Sequence, residues 1–96
     1  MSAELAGSRE AAPGMVALLK GALSAVLAED AERARQILNE EVIRIELVGV
    51  PVEIVGMTVE IARRAVTRLK ASPPQLNAAR IELRQLLRFW QEGWKS

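Results

Sequence analysis

A chain of 96 residues with no Cys and no His has room for one domain, near the size at which a single core buries a little over ~60% of the unfolded surface. Lack of Cys excludes disulfide scaffolds, thiol nucleophiles and thiolate metal sites, and lack of His removes the commonest general base and transition-metal ligand. A net charge of +1 does not on its own predict a nucleic-acid binder or a membrane-surface protein.

Charge is unevenly spread. Residues 1–57 carry five basic and nine acidic side chains, net −4, and residues 58–96 carry eight basic and three acidic, net +5. Half of the residues are hydrophobic, almost all Val, Ile, Leu and Ala, with Phe89, Trp90 and Trp94 as the aromatics. That composition favours helix.

The opening MSAELAGSREAA lacks the basic and apolar regions of a secretion signal. It is expected to be a flexible leader over residues 1–12, ahead of a single helical-bundle domain over 13–96. With no Cys to pair, a cytoplasmic setting is expected.

Pro13 and Gly14 mark the first boundary. Beyond them Met15, Leu18, Leu19, Ala22, Val26 and Leu27 fall near helical spacing, which predicts a helix over 14–28. Asp30 is the expected N-cap of the next helix, with Glu32 in the favourable first turn. That helix places Ala34, Ile37, Leu38, Val42 and Ile45 on one side and Arg35, Gln36, Asn39, Glu40 and Arg44 on the other.

Residues 45–61, IELVGVPVEIVGMTVEI, admit two readings. The density of β-branched residues and a turn at Gly49 to Pro51 suit a short β-hairpin. Against it, Glu46, Gly49, Glu53, Gly56, Glu60, Arg63, Thr67 and Lys70 recur at alternating intervals of three and four, a helical rhythm. Two apolar stripes keep the same rhythm: Ile43, Leu47, Val50, Ile54, Met57 and Ile61, and then Val52, Val55, Val59, Ala62, Val66 and Leu69. Helix is therefore preferred, and a membrane span is excluded by Glu46, Glu53 and Glu60. Pro51 breaks or kinks this helix. In the favoured version one helix ends by Val48 with Gly49 as C-cap, and another begins with Pro51 at its first position.

In KASPPQL, Ser72 is the expected N-cap and Pro73 the first residue of a last helix. Its apolar positions are Leu76, Ala79, Leu83, Leu86, Leu87, Trp90 and Trp94. Joined by so short a connection, the last two helices are antiparallel. The predicted fold is all-α, an antiparallel three- to four-helix bundle with a long central helix broken or kinked near Pro51.

From residue 42 to 62 this helix is apolar over more than half its circumference, whereas one core-facing stripe needs only about 100°. Either neighbouring helices cover both sides, or apolar surface is left for association, with a homodimer the commonest closed solution. Leu47, Val50, Ile54, Met57, Ile61, Trp90 and Trp94 are the expected interface residues, although core packing is also open to the two tryptophans. Gly49 and Gly56 would admit a close backbone.

Three polar groupings remain. Glu46, Glu53 and Glu60 stand about 10 Å apart along one helix face, too far to ligate one metal together. Asn39, Glu40, Glu41 and Glu46 form an acidic cluster that suits a solvated face, with an oxygen-only Mg²⁺ or Ca²⁺ site as its alternative. Arg80, Arg84 and Arg88 at i, i+4 and i+8 repel one another. Acidic partners on the preceding helix are expected to offset them, Glu60 near Arg84 and Glu53 near Arg88 or Gln91. An external anion is the alternative. Nucleic acid is disfavoured, for no DNA-binding motif and no aromatics interleave with the basic residues.

LAEDAERARQILNEEVIRIE resembles the helices of PhoU-type phosphate regulators, without their metal-binding acidic pattern. AAPGMVALLKGAL, EDAERA and VPVEI resemble, in order, stretches of the folate cyclodeaminase helical family, without its PGGGS. These resemblances imply a ligand-binding module or degenerate enzyme that takes a hard cation or phosphate. The residues themselves favour a different function: a non-enzymatic, homo-oligomeric helical protein, with no cofactor and no catalytic or metal residues, that acts as an assembly, adaptor or regulatory partner.

Overall fold

The computed structural model describes residues 3–45, 47 and 49–92. Among them are four α-helices and one π-helical turn, with no strand. Helix α1 spans Ala3–Leu27, α2 Ala31–Ile37, α3 Val52–Lys70 and α4 Leu76–Glu92. The molecule is an all-α bundle, 49 × 21 × 19 Å.

Helix α1 begins well before the boundary expected at Pro13 and Gly14, and Pro13 lies inside it. The preceding AELAGSREAA is rich in Ala, Glu and Arg, good helix formers that offset the lost hydrogen bond at Pro13. At its other end α1 closes with a Schellman arrangement: Asp30 N–H donates to the Ala25 carbonyl at 2.8 Å and Glu29 N–H to that of Val26 at 3.0 Å. Glu29 takes the left-handed position, at φ 60°. Asp30 then caps α2 as expected, its Oδ1 accepting from Arg33 N–H at 3.1 Å.

Helix α2 does not run on to Val48. It passes into a π-helical turn over Leu38–Val42, where Ile43 N–H donates to the Leu38 carbonyl at 3.0 Å. The wider turn lets Leu38 and Val42 both face the core, continuing the side opened by Ala34 and Ile37. Beyond it, residues 43–45, 47 and 49–51 are neither helix nor strand. Among the described residues the helical rhythm read through this stretch therefore has no helix beneath it before Val52, and no strand supports the hairpin reading. Local chemistry explains the break: Val42, Ile43 and Ile45 are weak helix formers, Gly49 adopts φ 81°, and Pro51 has no N–H to donate. Pro51 holds the N-cap position at φ −56° and ψ 144°, one residue earlier than expected. Its carbonyl accepts from Ile54 and Val55 N–H at 3.0 and 3.1 Å.

The connection from α3 to α4 is longer than the sequence suggests. Pro74 pushes Pro73 away from helical angles, so α4 starts at Leu76 rather than at Pro73, and neither Ser72 nor Pro73 serves as cap or first residue. The Arg68 carbonyl accepts from both Ala71 N–H at 3.3 Å and Gln75 N–H at 2.9 Å, which closes the reversal.

The core takes Met15, Leu19, Ala22 and Val26 from α1, Ala34 and Ile37 from α2, and Leu38 and Val42 from the π turn. Helix α3 adds Thr58, Ala62, Ala65, Val66 and Leu69, and α4 adds Ala79, Leu83, Leu86, Leu87 and Trp90. Helix α4 packs between α1 and α3, and α3 also packs on α2 and the π turn.

Candidate functional site

Helix α3 centres its buried face on Thr58, Ala62, Ala65 and Leu69, at the inner edge of the second apolar stripe, to which Ala62 and Leu69 belong. Thr58, Ala62 and Ala65 are small and let the neighbouring helices come close, so the first stripe and the remaining valines become its flanks. One flank meets α4: Trp90 Nε1 donates to Thr58 Oγ1 at 3.1 Å, and Arg68 Nε to Glu82 Oε1 at 2.7 Å. This antiparallel register brings Phe89 level with Ile61. Ile54, Met57 and Ile61 on that flank, and Leu47 and Val50 in the segment before α3, are all half-buried against the core, as is Phe89. Five of the expected interface residues thus follow one another along this flank and the segment before it, a seam in which each side chain keeps part of its surface in water. Along the other flank Val66 is buried, Val55 and Val59 half-buried, and Val52 is 80% exposed.

Trp90 lies elsewhere. At 2% exposure it is a core residue rather than one of the exposed interface side chains expected, the alternative role its sequence position leaves open. Trp94 falls outside the described residues, as does Glu46.

Acidic and basic groups pair otherwise than expected. Glu60 bridges to Arg64 at 3.5 Å within α3, and Arg88 to Glu92 at 2.7 Å within α4, both at the surface. Arg68 and Glu82 form the cross-helix ion pair. Glu60 and Glu53 do not meet Arg84, Arg88 or Gln91, because Glu53 and Glu60 face outward from α3 while the arginines stand on the side of α4 turned away from it. Arg80, Arg84 and Arg88 line an open depression of about 720 Å³ together with Leu23 of α1 and Ile81. Arg80 donates to Asn77 Oδ1 at 2.8 Å, and Arg88 is tied to Glu92. Its hydrogen bond to that carboxylate, with the carboxylate's charge behind it, holds the Arg88 guanidinium above its usual range. Among the described residues Arg84 has no ion-pair partner.

The acidic cluster is less compact than its sequence suggests. Asn39, Glu40 and Glu41 are exposed on the π turn, and among the described residues no three acidic side chains group as a metal ion would need. Nor is any helix among them long and apolar enough to cross a membrane.

Sequence reasoning missed Thr58, the π turn and the Arg68–Glu82 clasp. Thr58 had one available signal: it sits four residues before Ala62 and seven before Ala65, at the inner edge of the second stripe.

Comparisons with known protein families, characterised proteins and solved structures find no match. Neither resemblance noted in the sequence gains support from them.

Proposed function

We propose that this chain is a non-catalytic, self-associating helical protein that serves as an assembly, adaptor or regulatory partner in the cytoplasm. The observation that carries this reading is the half-open seam of Leu47, Val50, Ile54, Met57 and Ile61, with Phe89 beside it. Each of these side chains keeps apolar area in water after its own helices have packed. Covering such area gains roughly 25 cal/mol per Å², and contiguous apolar patches on a protein surface mark association sites. A second copy, in a closed dimer, is the simplest cover.

Sedimentation equilibrium tests it. The wild-type chain should show a mass near twice its 10.5 kDa, and Met57→Glu should shift it towards the monomer with its helical circular dichroism intact. A wild type that stays monomeric at high micromolar concentration ends this reading.

One observation favours a second reading, an anion-binding module. The depression on α4 gathers Arg80, Arg84 and Arg88, and Arg84 has no ion-pair partner among the described residues. Calorimetry with inorganic phosphate and with nucleotides would show heat that Arg84→Ala abolishes. Background heat from the wild type removes the reading.

A further inference from the structure

The outer face of α3 carries a second pattern, separate from the apolar seam. Glu53, Gly56, Glu60, Arg63, Thr67 and Lys70 follow at alternating intervals of three and four, and all are exposed. The signs along this stripe are ordered: both acids lie towards the start of α3 and both bases towards its end. A Cβ added at Gly56 would meet nothing within 4 Å. Two shallow depressions lie along it, one of about 410 Å³ from Gly56 to Thr67 and another of about 580 Å³ from Arg64 to Gln75, which share Arg64 and Thr67.

We propose that a second copy of this chain lays its own α3 antiparallel along this stripe, about a two-fold axis between Glu60 and Arg63. The proposal rests on the self-association reading above and adds, beside the seam, the α3 contact that sets the register in which two copies meet. Antiparallel alignment about that axis sets Glu60 against the partner's Arg63, Glu53 against the partner's Lys70, and Gly56 against the partner's Thr67. By symmetry each contact occurs twice, so all four charge pairs are opposite in sign. Gly56 and Thr67, the small residues of the stripe, face each other between the charge pairs. Parallel alignment would instead set Glu53, Glu60, Arg63 and Lys70 each against its own copy, a row of like charges, and is rejected on that ground. The surface pair between Glu60 and Arg64, at 3.5 Å, is weak enough to give way to the partner. Val52, 80% exposed at the start of the stripe, loses apolar area to water at the edge of the contact.

Complementary charge reversals provide the test, with sedimentation equilibrium as the readout. Glu60→Arg alone and Arg63→Glu alone should each weaken the dimer about tenfold or more, since each turns two attractive pairs repulsive. Mixing the two variants should restore association in a heterodimer, and the double variant Glu60→Arg/Arg63→Glu should restore it in one chain. High salt should weaken the wild-type dimer. A wild-type dimer indifferent to both single reversals but lost in Met57→Glu would overturn this register and leave the self-association reading standing. Reversals that weaken the dimer without rescue on mixing would also overturn the register. A wild type that remains a monomer overturns both.

Discussion

Trp90 donates its indole N–H to the Thr58 hydroxyl at 3.1 Å across the α3–α4 contact, with Thr58 fully buried and Trp90 at 2% exposure. A hydroxyl in an apolar core carries a desolvation cost, and this hydrogen bond offsets it while fixing the register of the two helices. Thr58→Val keeps the side-chain shape and removes the acceptor that faces the indole. We expect it to lower stability by about 1 kcal/mol, seen as a lower urea midpoint at unchanged slope. An unchanged midpoint would mean that the bond adds nothing net.

The junction of α1 and α2 holds two opposed contributions on adjacent residues. Glu29 sits at φ 60°, where a side chain costs about 1–2 kcal/mol and glycine does not. Glu29→Gly should therefore stabilise the fold by about 1 kcal/mol, raising Tm by about 4–8 °C for a domain of this size. Asp30→Ala removes the cap accepted from Arg33 N–H and should cost about 1 kcal/mol. Thermal unfolding of both variants checks the pair. A Glu29→Gly protein that melts earlier would show that the left-handed turn is not where the backbone strain lies.

These two sites show what was legible in the sequence. Asp30 could be assigned as a cap because the cue is local: a short acceptor side chain, a second acid two residues on, and an apolar period beginning at once. The bundle itself was legible because the apolar periods of α1, α3 and α4 are long. The stretch from Ile43 to Pro51 was not, because β-branched residues at helical spacing keep their rhythm even where Gly49 and Pro51 prevent the backbone from following it. Thr58 and Trp90 were invisible as a pair, being 32 residues apart in sequence. The charge partners were misjudged for a related reason: the pairing rule assumed a tight turn at Ser72 and Pro73, and residues 71–75 outside the helices shift the register. The buried face of α3 is centred on a line of mostly small residues, Thr58, Ala62 and Ala65 with Leu69, which no single apolar stripe of the sequence picks out.

The Arg68–Glu82 pair should contribute more than the other ion pairs. Its carboxylate side chain is only 15% exposed, and Arg68 also donates to Gln75 Oε1 at 3.3 Å. The Arg64–Glu60 and Arg88–Glu92 pairs are solvent-exposed and are worth only a few tenths of a kcal/mol each. A double-mutant cycle with Arg68→Ala and Glu82→Ala should give a coupling of about 1 kcal/mol, reduced by salt. A coupling no larger than that of Arg88 with Glu92 would place the clasp among ordinary surface pairs.

Gly56 separates what the isolated fold needs from what a partner needs. Inside α3, with nothing within 4 Å of its added Cβ, it offers the chain's own packing no benefit and weakens the helix by about 0.5–1 kcal/mol relative to alanine. Gly56→Ala should therefore raise the urea midpoint when measured at dilution, where the chain is monomeric. Gly56→Leu adds bulk between the charge pairs of the antiparallel α3 contact and should weaken self-association while leaving the monomer folded, since the added side chain projects into solvent there. Chemical denaturation at low concentration and sedimentation at high concentration read the two effects separately. A Gly56→Ala chain that unfolds more easily at dilution would contradict the open space on this face. A Gly56→Leu chain that dimerises as tightly as the wild type would place the contact elsewhere on the molecule.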